Sequence, residues 1–301
     1  MSAIFKGLGV ALATPFTPGG AVDLPAFKRL VKHVVHGGVD FLVVLGSTGE
    51  AATLNDSERD ALIIACRDMA NGKPVVVGAG SSSTAQAAGW CARAQNLGAD
   101  GVLVVTPPYN KPTASGLVAH YQAAADAAPG LPIIVYNVPG RTGQNLVPST
   151  LALLWENPQV VAVKESSGNL GQIVEEISSL PPGKTLLSGD DNLALPSIAA
   201  GAKGLISVLG NLLPRETKAL VDAALAGDLE EAQAHQTRLL PLINALFAES
   251  NPIPLKAGLK LLGMGGDMLR LPLTPPEAST RQRLAEALCL AAEGTLPGIS
   301  L

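Results

Sequence analysis

The stretch Val160-Val161-Ala162-Val163-Lys164-Glu165-Ser166-Ser167-Gly168 ends a run of buried-type residues on an amine. Small and β-branched apolar residues leading into a Ser-Ser-Gly turn read as a strand that stops at Lys164. Alternation along a strand puts Val160, Ala162 and Lys164 on one face, and Val161 and Val163 on the other. If the first face lines an interior, the amine stands in apolar surroundings above a small alanine. Desolvation disfavours the charged form of a buried amine, and a neutral amine attacks carbonyls to form Schiff bases. The strand alone also allows a lysine that snorkels to water. Lys203 and Lys256 read as structural, because neither ends a strand.

Other groups with chemical potential surround this lysine in type, though not in sequence. Tyr136 sits in the apolar run "PIIVYNV", where its hydroxyl needs a partner; Thr48 is a candidate, and a Tyr–Thr hydroxyl chain can relay protons. Arg141 comes next in a Pro- and Gly-bounded loop, suited either to bidentate capture of a carboxylate or to a plain salt bridge. In "GSTGE", Gly46 and Gly49 permit a tight turn whose N–H groups and Ser47 and Thr48 hydroxyls could hold a carboxylate. A bland turn fits that motif equally well, and Glu50 reads equally as a buried brace or as an acid.

Eight apolar runs, each leading into a turn and a helical pattern, must position these groups. They cover 7–16, 41–47, 74–80, 101–107, 132–138, 160–166, 185–190 and 204–210. Continuous apolar strands alternating with helices imply a parallel sheet covered on both faces. Eight such units predict an α/β fold, a (β/α)8 TIM barrel over 1–227. A doubly wound open sheet fits less well, because no G-x-G-x-x-G comes after the first strand. From 228 to 301 the text turns helical only, predicting a small C-terminal helical subdomain of three helices, packed on the barrel or between subunits. In such a barrel, chemistry collects at the C-terminal ends of the strands. Those ends carry Thr14, Ser47-Thr48, Tyr109-Asn110, Tyr136, Lys164, Ser188-Gly189-Asp190-Asp191 and Ser207, and this convergence says more than any one of them.

Composition narrows the function classes. With 47% hydrophobic and 15% charged residues, the 301-residue chain has enough apolar material for a large core. Its net charge of -4 is spread along the chain, with no basic stripe for nucleic acid. No apolar run is long enough to span a bilayer, and the Pro- and Gly-broken N-terminus reads as a first strand and not as a signal peptide. Cys66, Cys91 and Cys289 are isolated and read as buried reduced thiols. His33, His36, His120 and His235 form no ligand motif, and the His33/His36 pair reads as an exposed helix face. A cytoplasmic protein without metal or cofactor is expected.

The stretches "GSTGE", "TPPYNKP", "YNVPGRTG", "VVAVKESSGN", "SGDD", "GLISV" and "NPIPLKAGL" resemble the dihydrodipicolinate synthase family in order and spacing, over essentially the whole chain. The wider superfamily includes N-acetylneuraminate lyase and 2-keto-3-deoxy-sugar-acid aldolases, all lysine-dependent class I enzymes on this barrel. The lysine and "GSTGE" match the superfamily, whereas "YNVPGRTG" is similar to the synthases in particular. The resemblance implies a lyase of lysine and diaminopimelate biosynthesis that condenses pyruvate with L-aspartate 4-semialdehyde into 4-hydroxy-tetrahydrodipicolinate.

By the same resemblance, Lys164 forms the Schiff base and Tyr136 shuttles protons. Thr48 links Tyr136 to Tyr109, which reaches in from a neighbouring subunit. Ser47, where a threonine is common, binds the pyruvate carboxylate, and Arg141 binds that of the semialdehyde. The backbone at Gly189 and Ile206 lines the pocket. No cofactor is implied; at least a dimer is, with a dimer of dimers as the fuller assembly. Asp56, Gln86 and Pro108 stand where lysine-inhibited synthases tend to have a histidine, a glutamate and a tyrosine, which implies weak or absent inhibition by L-lysine. A lyase or aldolase acting on a 2-keto-3-deoxy acid is the alternative, and a non-catalytic homologue would require a lost lysine or relay.

Overall fold

Each apolar run forms a strand in the computed structural model, which describes residues 5–292. The strands are β1 (Gly7–Ala11), β2 (Phe41–Val44), β3 (Val75–Gly78), β4 (Gly101–Val105), β5 (Ile133–Asn137), β6 (Val160–Glu165), β7 (Thr185–Ser188) and β8 (Gly204–Ser207). They close in sequence order into an all-parallel barrel, with β8 pairing back onto β1. The chain is a (β/α)8 barrel with further helices after it.

Two apolar clusters share the strands. An outer cluster joins the strands to the surrounding helices. A smaller inner one fills the barrel with Phe5, Phe41, Val76, Leu103, Ile134, Ala162 and Ile206, and the Phe5 and Phe41 rings lie 5.5 Å apart. Filled from below by these side chains, the barrel opens into a cavity above the strands' C-terminal ends.

Strict alternation fails at the start of β6. The register shifts between Ile133 and Ile134, which pair with Val160 and Ala162. Val160 therefore packs in the outer cluster, and Val161 against the inner one. An extra residue on one strand re-aims the side chains beyond it. Past the bulge, Ala162 and Lys164 face inward as expected.

Helix boundaries are set by capping chemistry. Asn55 and Glu58 form a reciprocal capping box before the helix Asp56–Met69. Gly227, at φ 80°, closes the helix Pro214–Ala226, and Asp228 then caps the helix Leu229–Leu246. The expected later helices span Ile253–Leu261 and Ala278–Ala291; residues 293–301 of the C-terminal segment lie outside the described residues.

Two expectations need adjustment. His33 is half-buried, with Nε2 3.1 Å from the Leu212 carbonyl. Cys66 and Cys91 are buried thiols, but Cys289 is only half-buried. Among the described residues no cluster of three His, Cys, Asp or Glu side chains could hold a metal ion, and no helix is long and apolar enough to cross a membrane.

Candidate active site

Tyr136 and Lys164 are direct neighbours in the β5–β6 register, and both are buried. The Lys164 ammonium nitrogen lies 4.2 Å from the Tyr136 ring centroid, close enough for the ring face to act on a cation. Above them opens a cavity of about 460 Å³. Its wall includes Ser47, Thr48, Tyr136, Arg141, Lys164 and Gly189, so it gathers most of the predicted residues.

Gly189 is there for space. A Cβ at this position would stand 1.9 Å from Ser166 Oγ and 2.8 Å from Lys164 Cε, so any side chain would displace the lysine stem. Asp190, next in sequence, also lines the cavity. Burial raises its pKa, and the nearby Lys164 charge opposes that rise.

Ser47, Thr48 and Gly49 form a single 3₁₀ turn after β2. Thr48 is buried and Ser47 exposed on the cavity wall. Among the described residues no hydrogen bond joins the Thr48 and Tyr136 hydroxyls. Thr48 Oγ1 instead accepts from Asn251 Nδ2 at 2.9 Å. Asn251 also accepts, through its backbone oxygen, a 2.8 Å bond from the Arg141 guanidinium. Arg141 has no carboxylate partner among the described residues, so its remaining N–H groups are open to a ligand.

Not every predicted residue reaches the cavity. Ile206 is fully buried in the inner cluster beneath it and does not line it. Tyr109 is 89% exposed and absent from the wall formed by its own chain; its backbone is left-handed, at φ 73°. The loop Phe247–Asn251 forms part of the wall, and residue-by-residue reading gave it no role. Its only signal was that "NPIPLKAGL" belongs to a recognisable motif.

A buried brace fixes the "GSTGE" turn. Glu50, itself left-handed at φ 51°, pairs with Lys256, and both side chains are only 1% exposed. Glu50 also accepts from the Arg270 N–H at 3.0 Å, while Lys256 donates to the Met268 carbonyl at 2.8 Å. Burial pushes the Lys256 pKa down to about 8 against the pull of Glu50. Of the two readings left open for Glu50, the brace is the one observed.

A second polar network backs β5 and β6 on their outer side. Glu165 accepts from Asn137 Nδ2 at 2.9 Å and from the Ser167 N–H at 2.6 Å. Gln172 bridges to Glu176 at 2.9 Å. Burial, reinforced by the Glu165 charge, raises the Glu176 pKa from 4.5 to about 8. Between those values the folded chain holds a proton that the unfolded chain has released, so wild-type stability falls as pH rises through this window. Glu176→Gln removes that penalty. It should stabilise the fold at pH 8, by at most about 4 kcal/mol, and have little effect near pH 4.5, as read from urea denaturation at both pH values.

With this geometry established, comparison with known proteins decides the lineage. Residues 4–291 match the model of the dihydrodipicolinate synthetase family. The chain belongs to that family. The 4-hydroxy-tetrahydrodipicolinate synthase of Geotalea daltonii is 45% identical over 286 residues, covering 95% of this chain and 98% of the relative. The crystal structure of the Aquifex aeolicus dihydrodipicolinate synthase is 41% identical, with a TM-score of 0.93 over 98% of this chain and 100% of its own. The Acinetobacter baumannii synthase, in complex with pyruvate, is 39% identical with a TM-score of 0.93, covering 95% and 99%. This is a lyase family, and the chain's activity is that of its synthase relatives; the sugar-acid alternative is not favoured.

Proposed function

We propose that the chain condenses pyruvate with L-aspartate 4-semialdehyde through a Schiff base on Lys164. The observation that carries this reading is Lys164 itself, a buried amine at the floor of a cavity with Tyr136 against it. The pyruvate complex of the Acinetobacter baumannii relative supports the first substrate.

The amine attacks the pyruvate carbonyl carbon, and loss of water leaves a protonated imine. That imine is an electron sink, so a C3 proton departs and an enamine forms. The enamine carbon adds to the semialdehyde carbonyl. The substrate's amine then attacks the imine carbon and expels Lys164, closing the ring of 4-hydroxy-tetrahydrodipicolinate. Tyr136 carries protons to and from the adduct. The pyruvate carboxylate sits at the Ser47–Thr48 turn, and Arg141 takes the semialdehyde's carboxylate. Tyr109, too exposed to serve its own cavity, completes the site of a second copy, which makes the working unit at least a dimer.

Borohydride reduction with pyruvate tests the reading. One pyruvate-derived mass should appear on the peptide containing Lys164; no adduct, or one elsewhere, would overturn it. Arg141→Ala should raise the KM for the semialdehyde at least tenfold while barely moving that for pyruvate, the loss of a charged hydrogen-bond donor being worth about 1.5–3 kcal/mol. Equal changes in both would make Arg141 structural.

The two hydroxyls of the turn carry distinguishable roles. The Thr48 hydroxyl is tied to Asn251, whereas the Ser47 hydroxyl has no hydrogen bond among the described residues. If the relay runs through Thr48, Thr48→Val lowers kcat by about 10²-fold or more and Ser47→Ala mainly raises the KM for pyruvate. The reverse pattern in steady-state kinetics would move the relay to Ser47.

A further inference from the structure

Two carboxyl groups are buried behind β6 with no cation among the described residues to pair them. Glu165 is fully buried and Glu176 is 1% exposed. The charges that reach them are negative: each other's, that of Glu175 on the helix Leu170–Ser178, and that of Asp190 after β7. The flanking helices Pro148–Leu154 and Ala194–Ala200 and the strand β7 carry no titratable residue. Lys164 and Tyr136, on the neighbouring strand positions, point the other way and line the cavity. Two carboxyl groups in contact inside a protein do not both stay ionised.

The hydrogen bonds locate the proton. Glu165 Oε2 accepts from Asn137 Nδ2 at 2.9 Å, and Oε1 accepts from the Ser167 N–H at 2.6 Å, so both of its oxygens are acceptors. Glu176 Oε1 accepts from Gln172 Nε2 at 2.9 Å. Its Oε2 is buried and receives no donor, yet the Glu165 carboxyl lies within hydrogen-bonding reach of Glu176. Two ionised carboxylates offer acceptors only, whereas a protonated carboxyl gains an O–H donor. A proton on Glu176 Oε2 satisfies both the orphaned oxygen and the contact.

Glu165 is also the point where three strand ends are tied. Asn137 is its partner in the β5–β6 register, and Ser188 in the β6–β7 register. The Ser166 N–H donates to the Asn137 carbonyl at 2.9 Å, and the Gly189 N–H to the Glu165 carbonyl at 2.7 Å. Ser166 and Gly189 both line the cavity with Lys164. We propose that Glu165 and Glu176 share one proton, with Glu176 Oε2–H donating to Glu165, and that Glu176 is thereby a positioning residue for the strand ends that carry Tyr136, Lys164 and Gly189. When the proton leaves, two like charges meet at Glu165, and its hold on Asn137 and the Ser167 N–H gives way. The shared proton stands apart from the function proposed above, whereas its effect on turnover rests on that reading.

Glu176→Gln supplies the test, because an amide can donate to Glu165 and accept from Gln172 but does not ionise. Burial raises the Glu176 pKa to about 8, so the proton is held below that pH and lost as pH rises through it. Near pH 6, an infrared difference spectrum of wild type against this variant should show the C=O stretch of a carboxylic acid, and the band should be gone above pH 9. Its absence near pH 6 would overturn the shared proton. Wild-type kcat should fall about fivefold between pH 7 and pH 9 while circular dichroism shows the fold intact, and in Glu176→Gln that fall should vanish. If both proteins keep the same alkaline limb, or if wild-type activity is lost only as the protein unfolds, the pair is structural and the positioning role falls. Wild-type enzyme with no turnover at any pH would sink the proposed function and the positioning role with it, and the infrared band would still decide the shared proton.

Discussion

Lys164→Arg should lower kcat by more than about 10³-fold and leave no borohydride-trapped adduct with pyruvate, while thermal unfolding stays close to wild type. Arginine keeps the charge and most of the stem, but it cannot lose its proton to become a nucleophile. The cation beside the Tyr136 ring therefore survives, and only the covalent chemistry is removed. Because Tyr136 and Lys164 are paired in register and the lysine stem runs past the bare backbone of Gly189, no other amine can replace Lys164 at that point. Lys256, the other buried amine, is held by Glu50 and the Met268 carbonyl. A variant that kept more than a tenth of wild-type kcat would show that the reaction does not pass through Lys164.

Lys256→Met should destabilise the fold by about 3–5 kcal/mol, because it strands the buried Glu50 carboxylate without its cation. Methionine matches the lysine stem in length and keeps the packing near Phe16, whose ring centroid lies 3.9 Å from the Lys256 nitrogen. The loss is therefore electrostatic and not steric. Glu50→Gln in the same chain should restore a large part of it, since a neutral amide can still accept from the Arg270 N–H. Urea midpoints of the two single variants and the double variant give the coupling. Additive losses would mean that the two groups do not act as a pair. Because Glu50 ends the "GSTGE" turn, the single variant should also raise the KM for pyruvate.

The eight strands were legible because each is a continuous apolar run, the signature of a parallel strand buried on both faces. The lysine was legible for the opposite reason, as a polar residue where the strand pattern has no place for one. Tyr136 obeys the same logic on β5, whereas Arg141 stands in the loop after it and Gly189 entered only through the family resemblance. Val160 was misplaced because a bulge is a property of two paired strands and leaves no mark on one of them. Glu50 had two equal readings until its partner appeared, and that partner is 206 residues away in sequence.

The sequence by itself determined the barrel, since eight apolar runs alternating with helical patterns are a local periodicity; it put Lys164 at a strand end, and the family resemblance made it the candidate amine. Tertiary structure alone decided how the Phe247–Asn251 loop closes the cavity, that Asn251 holds both Thr48 and Arg141, and that Ile206 and Tyr109 stand apart from the cavity wall. The two Asn251 contacts join segments 110 and 203 residues apart. Such contacts are fixed by how the C-terminal helices pack over the barrel mouth, and no local pattern of residue types encodes them.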